Sequence, residues 1–369
     1  MIQRRDFIQS AATFVGLSAV GVTLPVHAQV KRIFRAANPV GVVDAQQAFV
    51  TCGRHPKLRY FEAEGVDIEY VNMSSVNQSL VSVATGQADM ASLAPGVFLP
   101  AMAKEPALGI VAAYNWLPRN ANVVVVSPDS PIRSIADLRG KKIGIRNQGD
   151  GGIVALQIMF SELGLPTSGI DFIAVGDSGV AGNALSRKNV DAIVTYDTAA
   201  ARIEAVGFPL RYLPLPPAYA KLSAGWFGFR RKDLRDDRKN VVGICRAIAK
   251  STLFAHTNLP RAIDIHWALY PESKSKSKSD EESRKEIETI LGQRKENWIR
   301  RPDDTDQRWG ASSLQEWKTI IDIAAKSTNN PQLAQQLGDP ANVFTNELVD
   351  EINRFDKAEV VRQAREFVL

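Results

Sequence analysis

A cluster of polar and glycine residues between a predicted strand and a predicted helix has the composition of a ligand-binding turn. Residues 141–145 form a short apolar run typical of a buried strand, and residues 153–163 have the spacing of a helix. The residues between them that are able to contact a ligand are Asn147, Gln148, Gly149, Asp150 and Gly151. Glycines let the backbone turn sharply, and the first amides of a helix have no partner within it. Such a helix start is able to hold a small polar or anionic group, although many similar turns bind nothing.

Charged side chains near this turn favour opposite kinds of ligand. If Asp150, Asp177 or Asp197 faces the ligand, a simple dianion is disfavoured and a neutral or cationic heteroaromatic compound fits better. Arg119 and Arg146 instead favour a carboxylate or a sulfonate, because guanidinium groups bind such anions through two donors. The sequence alone leaves both ligand classes open.

Aromatic and amide side chains are the other candidates for ligand contact. Trp116, Tyr196 and Trp226 are able to stack on a flat ligand, and they are equally able to fill a hydrophobic core. Asn38 and Asn77 lie beside predicted elements, where asparagine is also an ordinary turn or cap residue. Their functional interpretation therefore depends on whether the fold brings them together.

Catalytic and metal-binding motifs are missing from the sequence. HExxH, CxxC, GxSxG and P-loop patterns do not occur. The four histidines are scattered without metal-ligand spacing: His27, His55, His256 and His266. These patterns call for neither an enzyme nor a cofactor or metal ion. Cys52 and Cys245 permit one disulfide at most, and two unpaired buried thiols are the alternative.

Length and charge narrow the classes of protein further. A chain of 369 residues suits two lobes of about 150 residues each. The net charge of +5, from 45 basic and 40 acidic residues, is mild, and basic patches interleaved with aromatic residues are missing. These features argue against nucleic-acid binding. The low-complexity, charge-dense segment 272–285 is predicted to be an exposed insertion.

The elements that position the candidate residues alternate between strand and helix at intervals of about 25 residues. This pattern predicts an α/β protein of two lobes, each with a mostly parallel sheet flanked by helices, and a helical C-terminal region. Ligands bind beyond the carboxyl ends of strands in such sheets. We therefore predict two facing rims, of residues 38–41, 74–77, 94–96 and 115–119 on one lobe and 147–152, 176–178 and 196–198 on the other.

Specific ligand contacts follow from these rims. On the first rim the predicted contacts are Asn38, Val40, Ser74, Asn77, Pro95 and Trp116. On the second rim they are the turn residues named above together with Asp177, Tyr196 and Asp197. Trp226 is added from the predicted strand that returns to the first lobe.

Two predicted strands carry the chain between the lobes and define the predicted domains. Residues 122–127 form the first crossing, and residues 223–229 form the returning strand. The predicted divisions are therefore 29–125 for the N-terminal part of lobe 1, 126–224 for lobe 2, and 225–369 for the crossover strand and the helical region that returns to lobe 1.

The first 28 residues have the pattern of an export signal. Arg4 and Arg5 precede an apolar stretch at residues 11–26, and Ala28 completes a small-residue cleavage site. The twin arginines predict export of the folded protein by the Tat pathway. A membrane anchor is the alternative, but the apolar stretch is shorter than the roughly 20 residues that span a bilayer. We expect cleavage before Gln29 and a periplasmic location.

Several segments resemble one family of binding proteins. Residues 137–145, DLRGKKIGI, resemble the DLKGKKIGV signature of bacterial ABC-transporter substrate-binding proteins of the nitrate/sulfonate/taurine and thiamine-precursor (NMT1/THI5-like) group. Residues 79–90, 106–113 and 190–197 are similar to further strand segments of the same group. Lys188 departs from the usual glycine, and Tyr196 with Asp197 replaces a common Trp-Pro pair, which leaves the ligand class open.

The resemblance implies a type II periplasmic binding protein that captures a small molecule without catalysis. It implies a monomer without a cofactor that closes by a hinge around a sulfonate or taurine-like compound, an aromatic acid or a heteroaromatic compound. It also implies an ABC permease and its ATPase as partners. Two alternatives remain: an enzyme on the same fold, with pyridoxal phosphate on a lysine and a cysteine-rich motif, or a solute receptor for a membrane sensor.

Overall fold

In a computed structural model of the protein, the described residues are 31–38, 43–73, 75–148 and 150–369. The strands within these ranges are β1 (Arg32–Asn38), β2 (Val66–Asn72), β3 (Met90–Leu93), β4 (Ile110–Leu117), β5 (Asn122–Val126), β6 (Lys142–Ile145), β7 (Asp171–Ala174), β8 (Ala192–Tyr196), β9 (Arg211–Tyr212) and β10 (Gly225–Arg230). The α-helices are α1 (Ala48–Thr51), α2 (Tyr60–Ala63), α3 (Val76–Ala84), α4 (Pro95–Lys104), α5 (Gly151–Glu162), α6 (Ser178–Ser186), α7 (Asp197–Ala205), α8 (Pro217–Ala220), α9 (Asp233–Asp236), α10 (Arg238–Thr257), α11 (Leu259–Leu269), α12 (Asp280–Asn297), α13 (Leu314–Ser327), α14 (Leu333–Leu337), α15 (Val349–Ile352) and α16 (Lys357–Glu366).

The predicted export signal, residues 1–28, lies outside the described residues. Among the helices that the structure describes, none is both long enough and apolar enough to span a bilayer.

The strands form two five-stranded sheets, each flanked by helices. The first sheet has the order β2-β1-β3-β10-β4, and the second has the order β7-β6-β8-β5-β9. We call each sheet with the helices packed on it the first lobe and the second lobe. Strand β4 is buried along nearly its whole length, which is expected where helices cover both faces of a sheet.

Each sheet is mixed, where the sequence predicted mostly parallel pairing. Strands β1, β2 and β3 pair in parallel, but β10 is antiparallel to both β3 and β4. In the second sheet β6 is parallel to β7 and β8, and β5 is antiparallel to β8 and β9. The antiparallel strands β5 and β10 are the predicted crossing strands, which enter each sheet from the opposite lobe.

The two crossing segments, residues 118–121 and 213–224, run side by side. The backbone N–H of Ala224 donates to the carbonyl oxygen of Leu117 at 2.9 Å. The side-chain amide of Asn120 donates to the carbonyl oxygen of Tyr219 at 2.8 Å. These bonds tie the two crossings into one connection between the sheets.

The C-terminal helices complete the core of the first lobe and reach the second lobe. Helix α10 buries one face against α1, α2 and α16, and both cysteines, Cys52 and Cys245, are free thiols in that core. Helix α12 packs against α11 and also against α7 of the second lobe. The prediction that the C-terminal region returns to the first lobe therefore omitted this second contact.

A buried carboxylate anchors the edge of the first sheet where β1, β3 and β10 meet. Asp89 accepts hydrogen bonds from Arg32 at 3.0 Å and from Arg35, and it pairs with Arg230. Burial alone would raise the pKa of Asp89, but the hydrogen bonds from Arg32 and Arg35 outweigh burial and lower the pKa to about 2. The charged form of Asp89 is therefore part of the folded state at neutral pH.

Candidate functional site

A cavity of about 620 Å³ lies between the two sheets. Its walls include Asn38 at the end of β1, Pro95 after β3, Asp150 after β6 and Tyr196 at the end of β8. The cavity therefore lies beyond the carboxyl ends of strands from both sheets, where parallel strands place their ligand loops. Its volume suits a small organic molecule.

Stacked aromatic rings form the wall contributed by the first lobe. The indole of Trp116 stacks on Phe49, with ring centroids 5.1 Å apart, and on Phe227, at 5.7 Å. Its Nε1–H donates to Oγ of Ser92 at 3.2 Å, which fixes the plane of the ring. A Cβ at Gly225 would lie 2.9 Å from Nε1 of Trp116, so glycine at this position makes room for the indole. The indole of Trp116, which is half-buried and lines the cavity, is thus held rigidly.

A charge pair forms the wall contributed by the second lobe. Asp150 is 6% exposed, and its Oδ1 accepts the N–H of Gly152 at 2.8 Å, which caps helix α5. Its Oδ2 accepts from Nε of Arg146 at 2.8 Å. Nη1 of Arg146 donates to the hydroxyl of Tyr196 at 3.0 Å. Burial lowers the pKa of Arg146, but Tyr196 and Asp150 outweigh burial and raise it, so the guanidinium stays charged.

A second charge pair joins α12 to the second lobe at the back of the cavity. Asp197 is 2% exposed and begins α7, where its Oδ1 accepts the N–H of Thr198 at 2.7 Å. Nε of Arg294 donates to both carboxylate oxygens, at 2.9 and 2.8 Å, and Nδ2 of Asn297 donates to Oδ2 at 2.8 Å. Arg294 lines the cavity, whereas the Asp197 carboxylate lies behind it.

The structure brings six of the predicted contact residues together around the cavity. They are Asn38, Pro95, Trp116, Asp150, Gly151 and Tyr196. Val40, Ser74 and Gly149 lie outside the described residues. The identity of the residues that contact a ligand stays a prediction.

Six other predicted contact residues lie away from the cavity walls. Asn77 on α3 and Asn147 and Gln148 in the β6–α5 turn are exposed. Asp177 caps α6 by accepting the N–H of Ser178 at 2.8 Å. Asp197 is turned towards Arg294, as described above. Trp226 belongs to the core of the first lobe.

Trp226 does not line the cavity, because side chains alternate between the two faces of a strand. Its side chain is fully buried against Trp317, with centroids 4.8 Å apart, and its Nε1–H donates to Oγ of Ser312 at 2.7 Å. The next residue, Phe227, points to the opposite face of the sheet and lines the cavity. Locating the strand from sequence did not determine which of its two faces points to the cleft.

Several cavity residues were missed from the sequence. Those named by their chemistry are Phe49, Ser92, Asn120, Asn122, Tyr219, Phe227 and Arg294. Asn120 lies just before the predicted first crossing and Asn122 begins it, so their position beside the hinge was a usable signal. Arg294 carried no such signal, because it lies almost a hundred residues from Asp197 in the chain. Arg119, predicted to favour an anion, instead donates to the carbonyl oxygens of Ile299 and Arg300, at 2.8 and 2.9 Å.

Clustered ligands for a metal ion are missing from the part of the chain that the structure describes, where no three His, Cys, Asp or Glu side chains converge. The two cysteines are buried in the core of the first lobe, away from the cavity walls. The cavity thus offers aromatic rings, amides, hydroxyls and paired charges.

Comparison with known proteins identifies a family and a fold. The family model described as NMT1/THI5 like matches residues 56–262. A comparison with curated proteins finds no match.

Solved structures share the fold along most of the chain. The periplasmic aliphatic sulphonate binding protein SsuA from Escherichia coli has a TM-score of 0.63 and 15% identity, covering 85% of this chain and 97% of that one. A putative periplasmic sulfonate-binding SsuA from Methylobacillus flagellatus KT has a TM-score of 0.58 and 17% identity, covering 91% and 96%. The alkanesulfonate-binding SsuA from Xanthomonas axonopodis pv. citri, bound to MOPS, has a TM-score of 0.57 and 16% identity, covering 86% and 99%. The chain therefore has the two-lobed fold of periplasmic binding proteins.

Proposed function

The chain belongs to the NMT1/THI5-like family, and from that premise we propose that it is an extracytoplasmic solute-binding protein of an ABC importer. It captures a small organic molecule between its lobes, closes around it and delivers it to a membrane permease. No chemical step is required of the protein, because recognition and release are the whole function.

The observation that carries this proposal is the cavity between two lobes joined by one paired crossing. Residues 118–121 and 213–224 connect strands of the two sheets without being part of either, so we expect the hinge to lie there. A ligand that touches Trp116 on the first lobe and Tyr196 on the second gains contacts only when the lobes approach. Ligand binding then shifts the population towards the closed form by its differential affinity for that form.

The location and partners follow from the same proposal. The SsuA of Methylobacillus flagellatus KT is a putative periplasmic protein of a sulfonate ABC transporter, and the SsuA of Escherichia coli is a periplasmic sulphonate-binding protein. Both support a periplasmic location for this chain. The twin arginines Arg4 and Arg5 support export by the Tat pathway. The partner of such a protein is an ABC permease with its ATPase. The permease would bind this protein as a monomer.

The alternative of a pyridoxal-phosphate enzyme on this fold is not supported by the residues of the site. No lysine is among the described residues that line the cavity, so a Schiff base with the aldehyde has no candidate nitrogen there. Burial raises the pKa of both cysteine thiols, which makes them inert rather than reactive. The residues present therefore do not fit this cofactor.

Closure can be measured by fluorescence transfer between dyes on the two lobes. Exposed positions Lys104 and Arg187, one on each lobe, are suitable for a Lys104→Cys/Arg187→Cys pair, since both native thiols are buried. We expect a ligand identified by thermal shift to raise the efficiency of fluorescence transfer. The midpoint concentration of that rise should equal the midpoint concentration of the thermal shift. A hundredfold excess over the dissociation constant should stabilise the folded state by about 2.7 kcal/mol. Saturable binding without a change in transfer would contradict capture by closure.

A further inference from the structure

The charged side chains of the cavity are already neutralised within the protein. Arg146 is paired with Asp150, which is 6% exposed, through Nε and Oδ2 at 2.8 Å. Its Nη1 donates to the hydroxyl of Tyr196, and the guanidinium carbon lies 4.6 Å from the centroid of the Tyr196 ring. A ligand anion placed beside Arg146 would also be placed beside the carboxylate of Asp150.

The second arginine of the cavity is neutralised in the same way. Arg294 donates from Nε to both oxygens of Asp197, and its Nη2 also contacts Oδ1. Asn297 donates a further hydrogen bond to the same carboxylate. The guanidinium of Arg294 is thus committed to a fully buried partner, so its charge is not available to attract a ligand.

The helix starts of the second lobe, which could hold an anion, are filled by the protein's own carboxylates. Asp150 accepts the N–H of Gly152 at the start of α5, and Asp197 accepts the N–H of Thr198 at the start of α7. Asp177 does the same at the start of α6. Asp150 and Asp177 are the N-caps of α5 and α6 and occupy the position that a ligand carboxylate or sulfonate would take at a helix N-terminus. Asp197 is the first residue of α7 and accepts only the N–H that follows it.

No further formal charge remains on the walls that the structure describes. Beyond Arg146, Asp150 and Arg294, the ionisable side chains of the lining are tyrosines, and burial raises the pKa of Tyr219, which stays neutral. The residues between 31 and 369 that lie outside the description, 39–42, 74 and 149, carry no ionisable side chain. With Asp197 behind Arg294, two positive charges meet two negative charges.

We infer that the ligand is an uncharged, flat, ring-bearing molecule with hydrogen-bonding groups, such as an aromatic amide or an uncharged heteroaromatic compound. This inference rests on the proposed solute-binding function. The indole of Trp116, stacked with Phe49 and Phe227 in the cavity wall, provides an aromatic surface for the ring. The amide side chains of Asn38, Asn120 and Asn122 line the same cavity as uncharged polar groups. An anion would lose its hydration in the cavity without gaining an unpaired side-chain cation. The start of α4, which has no side-chain cap, offers it only the partial charge of backbone N–H groups.

The test compares uncharged probes with anions of the same shape. Isothermal titration at neutral pH would measure the dissociation constants of the purified protein for three pairs: benzamide and benzoate, indole-3-acetamide and indole-3-acetate, and p-toluenesulfonamide and p-toluenesulfonate. We expect the uncharged member of each pair that binds to be tighter by about tenfold or more. The interlobe transfer measurement on the same samples reports whether binding closes the lobes.

Two matched variants identify the source of the selectivity. Asp150→Asn keeps an oxygen to cap α5 but releases the charge of Arg146, so it should shift the preference towards the anion by about tenfold. Asp171→Asn makes the same change of charge at an exposed position at the start of β7, the opposite edge of the sheet from the cavity. This control should leave the preference unchanged.

The outcomes separate this inference from the proposed function. Tighter binding of the anions to the unaltered protein, with closure, overturns the inference and leaves the solute-binding proposal standing. The inference is also overturned if Asp171→Asn changes the preference for the uncharged probes as much as Asp150→Asn does. In that case the pairing of Arg146 with Asp150 would not be the cause of the preference. Absence of binding by all six probes to cooperatively folded protein counts against both the inference and the proposed function.

Discussion

The two lobes present different chemistry to the cavity that they share. The first lobe contributes a stack of aromatic rings around Trp116, held by packing and by one hydrogen bond to Ser92. The second lobe contributes Arg146 and Asp150, whose charges cancel within hydrogen-bonding distance. The first lobe thus offers apolar contact area, whereas the second lobe offers polar groups whose charges are paired with each other. For the proposed ligand, we therefore expect ring stacking to supply affinity and the second lobe to supply selection by charge.

The largest expected effect comes from breaking the charge pair that joins α12 to the second lobe. Asp197→Ala leaves the guanidinium of Arg294, which is mostly buried, without its carboxylate. We expect a loss of about 3–5 kcal/mol in the free energy of unfolding, measured by urea denaturation.

The matched control for this variant is Asp177→Ala on the same lobe. Asp177 caps α6 and is only half-buried, so its loss should cost about 1 kcal/mol, as for an ordinary helix cap. Equal losses for the two variants would contradict a special role for the Asp197–Arg294 pair.

Acid should weaken the first lobe before the second. His266 is fully buried in the first lobe, and burial lowers its pKa to about 4. The unfolded chain binds a proton at this histidine below its ordinary pKa of 6.5, whereas the folded chain does so only near 4. The contribution of His266 to the free energy of unfolding is therefore fully present above pH 6.5. It falls by up to about 3 kcal/mol as the pH decreases to 4.

Hydrogen exchange followed by mass spectrometry at pH 7 and pH 5 distinguishes the lobes. No histidine lies between residues 122 and 213, so amides of the second sheet should lose less protection than those of β1 and α11 once intrinsic rates are corrected. His266→Gln should flatten the dependence in the first lobe. Equal loss in both lobes would show that His266 is not the origin.

Removing the stacking surface should weaken ligand binding without unfolding the protein. Trp116→Ala deletes the ring that lines the cavity, and the lost contact is worth about 1.5–3 kcal/mol, or roughly tenfold to a hundredfold in the dissociation constant. Titration of a bound probe measures this. Trp309→Ala, a half-buried tryptophan that does not line this cavity, should leave the constant unchanged.

The smallest expected effect comes from the hydroxyl of Tyr196. Tyr196→Phe removes the acceptor for Nη1 of Arg146 but keeps the ring and the Asp150 pair. The free energy of unfolding should fall by about 1 kcal/mol in urea denaturation, the usual value of one hydrogen bond. A loss as large as that of Asp197→Ala would mean that the second lobe is not internally balanced.

Local patterns made much of the fold predictable. Strands and helices alternate, and the predicted crossing strands are β5 and β10. Both features depend on residues that are neighbours in the chain. Loops after strands were predictable for the same reason, which is why Asn38, Asp150 and Tyr196 were found at the cavity.

Other features depended on information that the sequence pattern does not contain. Trp226 and Phe227 are consecutive residues of β10 and point to opposite faces of the sheet. Hydrophobicity does not show which of these two buried aromatic residues points to the cleft. The partner of Asp197 lies on α12, far along the chain, and ion pairs between distant helices leave no local pattern. The direction of Asp197, and therefore the charge balance of the cavity, could be determined only from the fold.

The burial of both thiols has a consequence for the export that we propose for this chain. Cys52 donates its S–H to the carbonyl oxygen of Ser251 at 3.3 Å, and Cys245 is enclosed by the same apolar core. Neither sulfur is accessible to an oxidant or to a disulfide-exchange enzyme once the protein has folded. The covalent structure of the folded protein is therefore the same in reducing and in oxidising surroundings, and its folding depends on no change of redox state.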